Sequence, residues 1–535
     1  MKPYSLLALG PQAVLAVALG ATVLAGCAAK REPGPTPVAG LGALSFPVTT
    51  NSTDARRSFE RGAILLHLFH YWDAREAFRV AEAADPGFTM AYWGEAMAWN
   101  YGVWNIQNAD SGRAVLAKLG PTAAARRHAA RSKREAGYLD AVELLYGAGT
   151  KPARDTAYEA AMAKLSATYP HDDEAKLFHA LALLGLNQGV RDVPTYQRAA
   201  DLADEVFRRH PDHPGASHYL IHAVDDPAHA ARGLDAARAL ARSSPDAAHA
   251  QHMTSHIFLA LGMWDELVRA NENTMRVAEA QMAGHGHHEA ACGHAQTWLG
   301  YGYLQQGRLD TARAMVRACQ REAEADSSRA NDPDPDNSSL GSAVFMWSRF
   351  IIDAEAWSGA DIAWNPGLET ATTPAAVDYT FTAAFAAIRR SDVSAARDWQ
   401  RRFETARAAQ RGKTTEADPE SVEYRSGLDV LSLELEGLLQ LAAGDEGGLA
   451  SLRRATAIED GKAYAFGPPE VNKPSHELLG EELARLNRSA EAEAEFRAAL
   501  QRTPGRVTAL RGLSRALASQ SRSAPADSVA MLLPH

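Results

Sequence analysis

Most of the side chains that could do chemistry fall between Pro214 and Asp265. His218, His222 and Asp225 recur at i, i+4, i+7, and His249, His252 and His256 at i, i+3, i+7. Both spacings put three side chains on one stripe of an α-helix. Neutral imidazoles with a carboxylate suit Zn(II), Cu(II), Ni(II) or Fe(II). His218/His222 is one helical chelating pair and His252/His256 a second. Asp225 is placed either to ligate or to orient a ligand imidazole from behind. An open position on such a metal would permit hydrolysis or redox work. The plainer use of the same residues is hydrogen bonding between packed helices. No recognised metalloenzyme string occurs: His288-Glu289 followed by Cys292, and His476-Glu477 followed by Gly480, both lack the second His of the zinc-protease motif. The stretch Gly284 to His294 (GHGHHEAACGH), with Met275 and Met282 nearby, reads either as a copper or zinc trap or as a solvated loop between helices. There is no GxxxxGK[ST], no GxSxG and no CxxC, so nucleotide, serine-esterase and c-type haem chemistries fall away.

These stripes need helices to carry them, and the composition supplies helix formers. Ala, Leu, Arg and Glu dominate and β-branched residues are sparse. With 535 residues the chain exceeds what one compact core organises, so it is either several domains or an elongated repeat. A net charge of −10 gives no electrostatic case for nucleic acid. Gly62, Leu65, Ala74, Phe78, Ala81 and Pro86 form a spaced pattern, and Gly480, Leu483, Ala492, Phe496, Ala499 and Pro504 reproduce it near the other end. The physics is that of a helix hairpin: small residues let two helices approach, Phe fills the gap to the next unit, and Pro ends the second helix. Between the two copies lie degenerate ones, the best with Gly300, Tyr303 and Gly307.

The N-terminus reads as a targeting segment. Lys2 precedes an apolar run from Leu6 to Leu24, and Leu24-Ala25-Gly26-Cys27 resembles the lipobox of bacterial lipoproteins. Cys27 would then carry the lipid, with acyl chains giving stable anchoring. Ala28 follows it, which points to the outer membrane, facing the periplasm. Residues 1–26 are thus expected to be a signal peptide and 27–45, rich in Pro and Gly, a tether. Residues 46–517 form the repeat body and 518–535 a flexible tail.

The repeat spacings resemble the tetratricopeptide repeat, a helix–turn–helix of about 34 residues. The strings SFERGAILLHLFHYWDAREAF, HYLIHAVDDPAHAARGLDAARALARSSPDAAHAQHMTSHIFLALGMWDE and PPEVNKPSHELLGEELARL together resemble a family of bacterial tetratricopeptide-repeat lipoproteins of uncharacterised function. The resemblance covers roughly Ser45 to Leu517. It implies an all-α superhelix, an α-α solenoid whose first helices line a concave groove through their second, fifth, ninth, twelfth and thirteenth places. In that register His249, His252 and His256 are second, fifth and ninth. His218 and His222 are fifth and ninth of the preceding unit, with Asp225 and Asp226 after them. Asn100, His294, His67, Glu477 and Glu481 fall at groove places of other units.

Two functions remain open at this point. The first is a binding or assembly module that recognises a peptide, protein or small ligand through Asn100, His218, His222, His249, His252, His256 and His294. The second is a metal-binding protein or metal-dependent hydrolase using His218, His222, Asp225, His252 and His256, with Zn or Cu. Convergence of the imidazole nitrogens would favour metal; a spread along the groove would favour an extended ligand. Cys292 opens one helix and Cys319 lies late in the next, so the pair is either a disulfide or two free thiols. Ala465 to Glu477, stiffened by Pro468, Pro469 and Pro474, is either a cover over one end of the groove or a rigid connector.

Overall fold

The computed structural model describes residues 36–187, 189–283, 290–325 and 338–534. The lipobox with Cys27, the first part of the tether, and His285, His287 and His288 lie outside them. Twenty-four α-helices occupy the described residues, with two short hairpins, Thr36–Val38 against Gly42–Leu44 and Asn100–Tyr101 against Ile106–Gln107. The protein is an all-α helical repeat. No described helix is long and apolar enough to cross a membrane.

Local chemistry sets the helix boundaries. Ser52, Asn108, Asp172, Asp192, Thr373, Asp392 and Asp418 each accept a backbone N–H at a helix start. Between the two helices of a unit, the chain turns through one residue in the left-handed region, two places before the second helix. That residue is Phe69, Gly262, Gly307, Ser391, Asn487 or Ser521. Only two of the six are glycine, which is why the units around Ser391 and Ser521 are hard to see in the sequence.

The Gly/Phe pattern does the work expected of it. A Cβ on Gly62 would lie 2.8 Å from the Phe78 ring, and one on Gly94 2.3 Å. At the other end, Gly480 and Gly512 stand in the same relation to Phe496, at 3.0 and 2.3 Å. Each Phe is thus clamped between glycines of two successive first helices. Gly512→Ala is expected to lower stability by about 1–3 kcal/mol through overpacking. The gain in helix propensity, at most about 1 kcal/mol, does not offset that. A raised denaturation midpoint for the variant would contradict this account of the packing.

Two boundary expectations are corrected. Residues 36–45 are not tether: Ala43 N–H donates to the Asp212 carbonyl, and Leu41, Leu44 and Phe46 are buried against the helices. The apolar residues spaced through a Gly-rich stretch carry that segment onto the body. The end of the chain is not a loose tail either. Helix Ser523–Ala530 packs on helix Val507–Ser519, with Ala526 buried. Ser339 to Ser342 form the first turn of helix Ser339–Asp353, capped by Ser338.

The array folds back on its own middle from both ends. Helix Thr53–His67 touches helix Pro214–Val224. Near the other end, Trp264 Nε1 donates to the Gly505 carbonyl and Val507 N–H to Gln305 Oε1. Cys292 and Cys319 are joined by a disulfide, their Cα atoms 4.8 Å apart.

Candidate metal centre

Three first helices lie side by side here. Pro214–Val224 carries His218 and His222, Ala248–Ala260 carries His249, His252 and His256, and His294–Gln305 begins with His294. Their rings form a row. Successive centroid separations are 5.2 Å (His249–His218), 4.8 Å (His218–His222), 6.1 Å (His222–His256), 5.2 Å (His256–His252) and 4.7 Å (His252–His294). The row falls into two trios. One nitrogen from each of His218, His222 and His249 lies within 4.8 Å of the others, and the same holds for His252, His256 and His294.

The rings are held from behind. His218 Nδ1 donates to the His67 carbonyl (2.7 Å). His252 Nδ1 donates to Asn271 Oδ1 (2.8 Å), whose own amide nitrogen is committed to the Leu267 carbonyl. His256 Nδ1 donates to Asp225 Oδ2 (2.9 Å), and Arg191 holds the other oxygen of that carboxylate. A proton on Nδ1 leaves the Nε2 lone pair facing forward. Nε2 of His218, His222, His249 and His252 is buried without a hydrogen-bond partner among the described residues.

Electrostatics keep these imidazoles neutral. Burial drives His218 down to about 3, and drives His222, His249 and His252 well below the usual histidine range, with neighbouring imidazoles adding to the effect. Burial also lowers His256, against the pull of Asp225. For Asp225 burial works upward, but Arg191 and His256 outweigh it and hold the carboxyl below its ordinary value.

Aromatic side chains wall the row. Phe69 lies 4.4 Å from the His218 ring, and Trp104 5.8 Å from His249. Trp298 stacks on His256 at 4.4 Å. Phe69 holds φ 60°, a strained conformation for a bulky residue, at the turn that presents its ring to the cluster. The segment after Lys462 closes the other side: Phe466 stacks on His256 at 5.3 Å, and a Cβ on Gly467 would sit 3.0 Å from Trp298. Arg349 latches this segment by donating to the Pro469 carbonyl and to Asn472 Oδ1. The covering alternative for Ala465 to Glu477 thus describes its first part.

The structure redistributes the candidate residues. His249 and His294, outside the metal set read from the sequence, complete the two trios. Asp225 is not free to ligate, since both its oxygens are engaged; it orients His256. Asn100 does not join the row. It sits in a two-residue strand rather than a helix, and its side-chain oxygen accepts from Gln107. Asp226 accepts backbone N–H groups from Ala228 and His229. Glu477 and Glu481 belong to an ion network around Lys473, Arg389 and Arg506. His67 contributes only its carbonyl; its ring belongs to a separate His67–Glu174–His213 group. Nor is the row an open groove wall: His218, His222, His252 and His256 are at most 6 % exposed. Sequence reasoning missed Asn271, Arg191, Phe69, Trp298 and Phe466. Trp298 alone left a signal, one turn after His294.

No protein-family model matches the chain, and no curated protein does. Among solved structures it is similar to the APC/C hetero-tetramer Cut9-Hcn1 (12% identity, 86% of this chain and 76% of that one, TM-score 0.32). It is also similar to the human IFIT1 dimer with m7Gppp-AAAA (12% identity, 90% of each chain, TM-score 0.33). A third likeness is to the P58(IPK) TPR domain (13% identity, 88% and 99%, TM-score 0.19). At such identities and scores these likenesses carry no functional argument. The repeat assignment rests on the chain's own hairpins and Gly/Phe clamps.

Proposed function

We propose that this chain is a transition-metal-binding protein whose centre is the six-histidine row. One observation carries the reading: four buried Nε2 atoms lack partners while the Nδ1 atoms of three rings in the row are pinned from behind. A buried polar atom left unpaired costs about 1–3 kcal/mol. Four in one row are accounted for together by metal coordination, and the carboxylate–histidine pair Asp225–His256 is the usual support for a ligand imidazole. A bound metal would supply Lewis-acid or redox chemistry there; His218, His222, His249, His252, His256 and His294 would hold it, and the aromatic cover would exclude water. Recognition of an extended peptide ranks second, because four of the histidines meant to read it, His218, His222, His252 and His256, are buried.

The test is metal analysis of protein purified from its native envelope. Wild type is expected to carry stoichiometric transition metal, and a His222→Ala/His256→Ala double variant to lose it. A native protein free of transition metal sinks the reading. The address is part of the proposal: Leu24-Ala25-Gly26-Cys27 supports a lipid anchor. Cys27→Ser should abolish incorporation of labelled fatty acid, and unchanged labelling would refute the anchor.

A further inference from the structure

The row of rings has its widest gap in the middle. Separations on either side of the His222–His256 step are 4.7 to 5.2 Å, while that step is 6.1 Å. An ion with ligand bonds of about 2.1 Å reaches nitrogens no more than about 4.2 Å apart. Three nitrogens spread evenly about such an ion lie about 3.6 Å apart, so each trio, within 4.8 Å, needs a contraction of up to about 1 Å to enclose one. A single ion cannot serve all six rings strung along the row.

Charge decides which ions. All six donors are imidazole nitrogens, with no thiolate or carboxylate among them. The one carboxylate touching the row, Asp225, is already shared between Arg191 and His256. Phe69, Trp104, Trp298 and Phe466 form the walls. Two divalent ions would place four positive charges in this apolar setting against one committed anion, a heavy desolvation penalty. Two monovalent ions halve the charge. Among metals that favour imidazole, copper is the one with a stable monovalent state, and it accepts three donors.

Resting on the metal reading above, we propose that the row is a pair of adjacent copper(I) sites, one on His218, His222 and His249 and the other on His252, His256 and His294. The full chain in detergent is titrated anaerobically with Cu(I) against a chromophoric Cu(I) chelator, and separately with Zn(II). Wild type is expected to take two Cu(I) per chain and to bind Zn(II) at least tenfold more weakly. His249→Gln and His294→Gln sit at the two ends of the row, where the rings are only partly buried. Each should lose one Cu(I) and keep the other, with helix content by circular dichroism unchanged. Should either variant unfold, the wild-type stoichiometry still decides. One Cu(I) per chain, loss of both ions in each variant, or tighter binding of Zn(II) overturns the pair while leaving a metal-binding protein. Binding of neither ion defeats the underlying reading as well.

Discussion

Arg506→Met is expected to destabilise the fold by about 3–5 kcal/mol, the scale for removing one partner of a buried ion pair. Arg506 is 1 % exposed. Its Nε donates to Glu477 Oε2 at 2.7 Å, its Nη2 to Asp353 Oδ1 at 2.5 Å, and its Nη1 to the Tyr301 hydroxyl at 3.0 Å. Burial alone would raise Glu477, yet Arg506 and Lys473 hold it at about 2. Without the guanidinium Asp353 keeps, among the described residues, its bond from Gln305, and Glu477 keeps Lys473 and Thr508. The network joins the start of helix Val507–Ser519 to helices His294–Gln305 and Ser339–Asp353, so the variant also loosens the contact through which the C-terminal units brace the histidine row. Urea unfolding supplies the comparison. Arg497→Met, which breaks the exposed pair with Glu493, serves as control with an expected loss of 1 kcal/mol or less. An Arg506→Met midpoint matching the control's would refute the assignment.

What the sequence discloses and what it conceals follow from the range of the interactions. The i, i+4 and i, i+3 histidine spacings are local, and they put the right side chains on helix stripes. The Gly62/Phe78 and Gly480/Phe496 spacings are local too, and the hairpins they imply are present. The repeat register placed His249 and His294 on the same surface as His218, although chemistry-based selection left them out of the ligand set. The concealed parts depend on long-range closure. Asn271 reaches His252 from the second helix of its own unit, and nothing in its surroundings marks it. Phe69 and Phe466 arrive from opposite ends of the chain. That double closure turns groove-facing positions into a buried centre. Asn100 lies beyond the reach of the repeat register, because helix Thr89–Met97 has already ended. In residues 36–45 Pro and Gly content implies reach, whereas Leu41 and Leu44, with Phe46 next to them, supply burial.

Glu174→Gln should cost about 3–5 kcal/mol at neutral pH and loosen the support of the histidine row as a consequence. Glu174 is fully buried. It accepts from His67 Nε2 at 2.7 Å and from His213 Nε2 at 3.0 Å, while His67 Nδ1 accepts from the Tyr219 hydroxyl at 2.8 Å. The buried carboxylate thus receives two N–H donors. A glutamine offers one acceptor and a pair of donors. One imidazole must then change tautomer and give up its bond to Tyr219 or to the Ala216 N–H. His67 also holds His218 through its carbonyl, so a disturbed His67 disturbs a ring of the first trio. Burial alone would raise Glu174, but the two imidazoles outweigh it and hold the group at about 2. A depressed carboxylate contributes stability that is present above its unfolded value, about 4.3, and is lost as pH falls toward 2. His67, lowered by burial against the pull of Glu174, acts in the same direction: its contribution is whole above about pH 6.5 and declines below it. Wild type is therefore expected to lose stability from about pH 6.5 downward, most steeply below about pH 4.3. The Gln variant should start lower and show a shallower acid limb, so the two curves converge in acid. Urea midpoints measured at a series of pH values decide the matter: curves that coincide at pH 7, or run parallel into acid, would show that Glu174 does not anchor the support beneath His218.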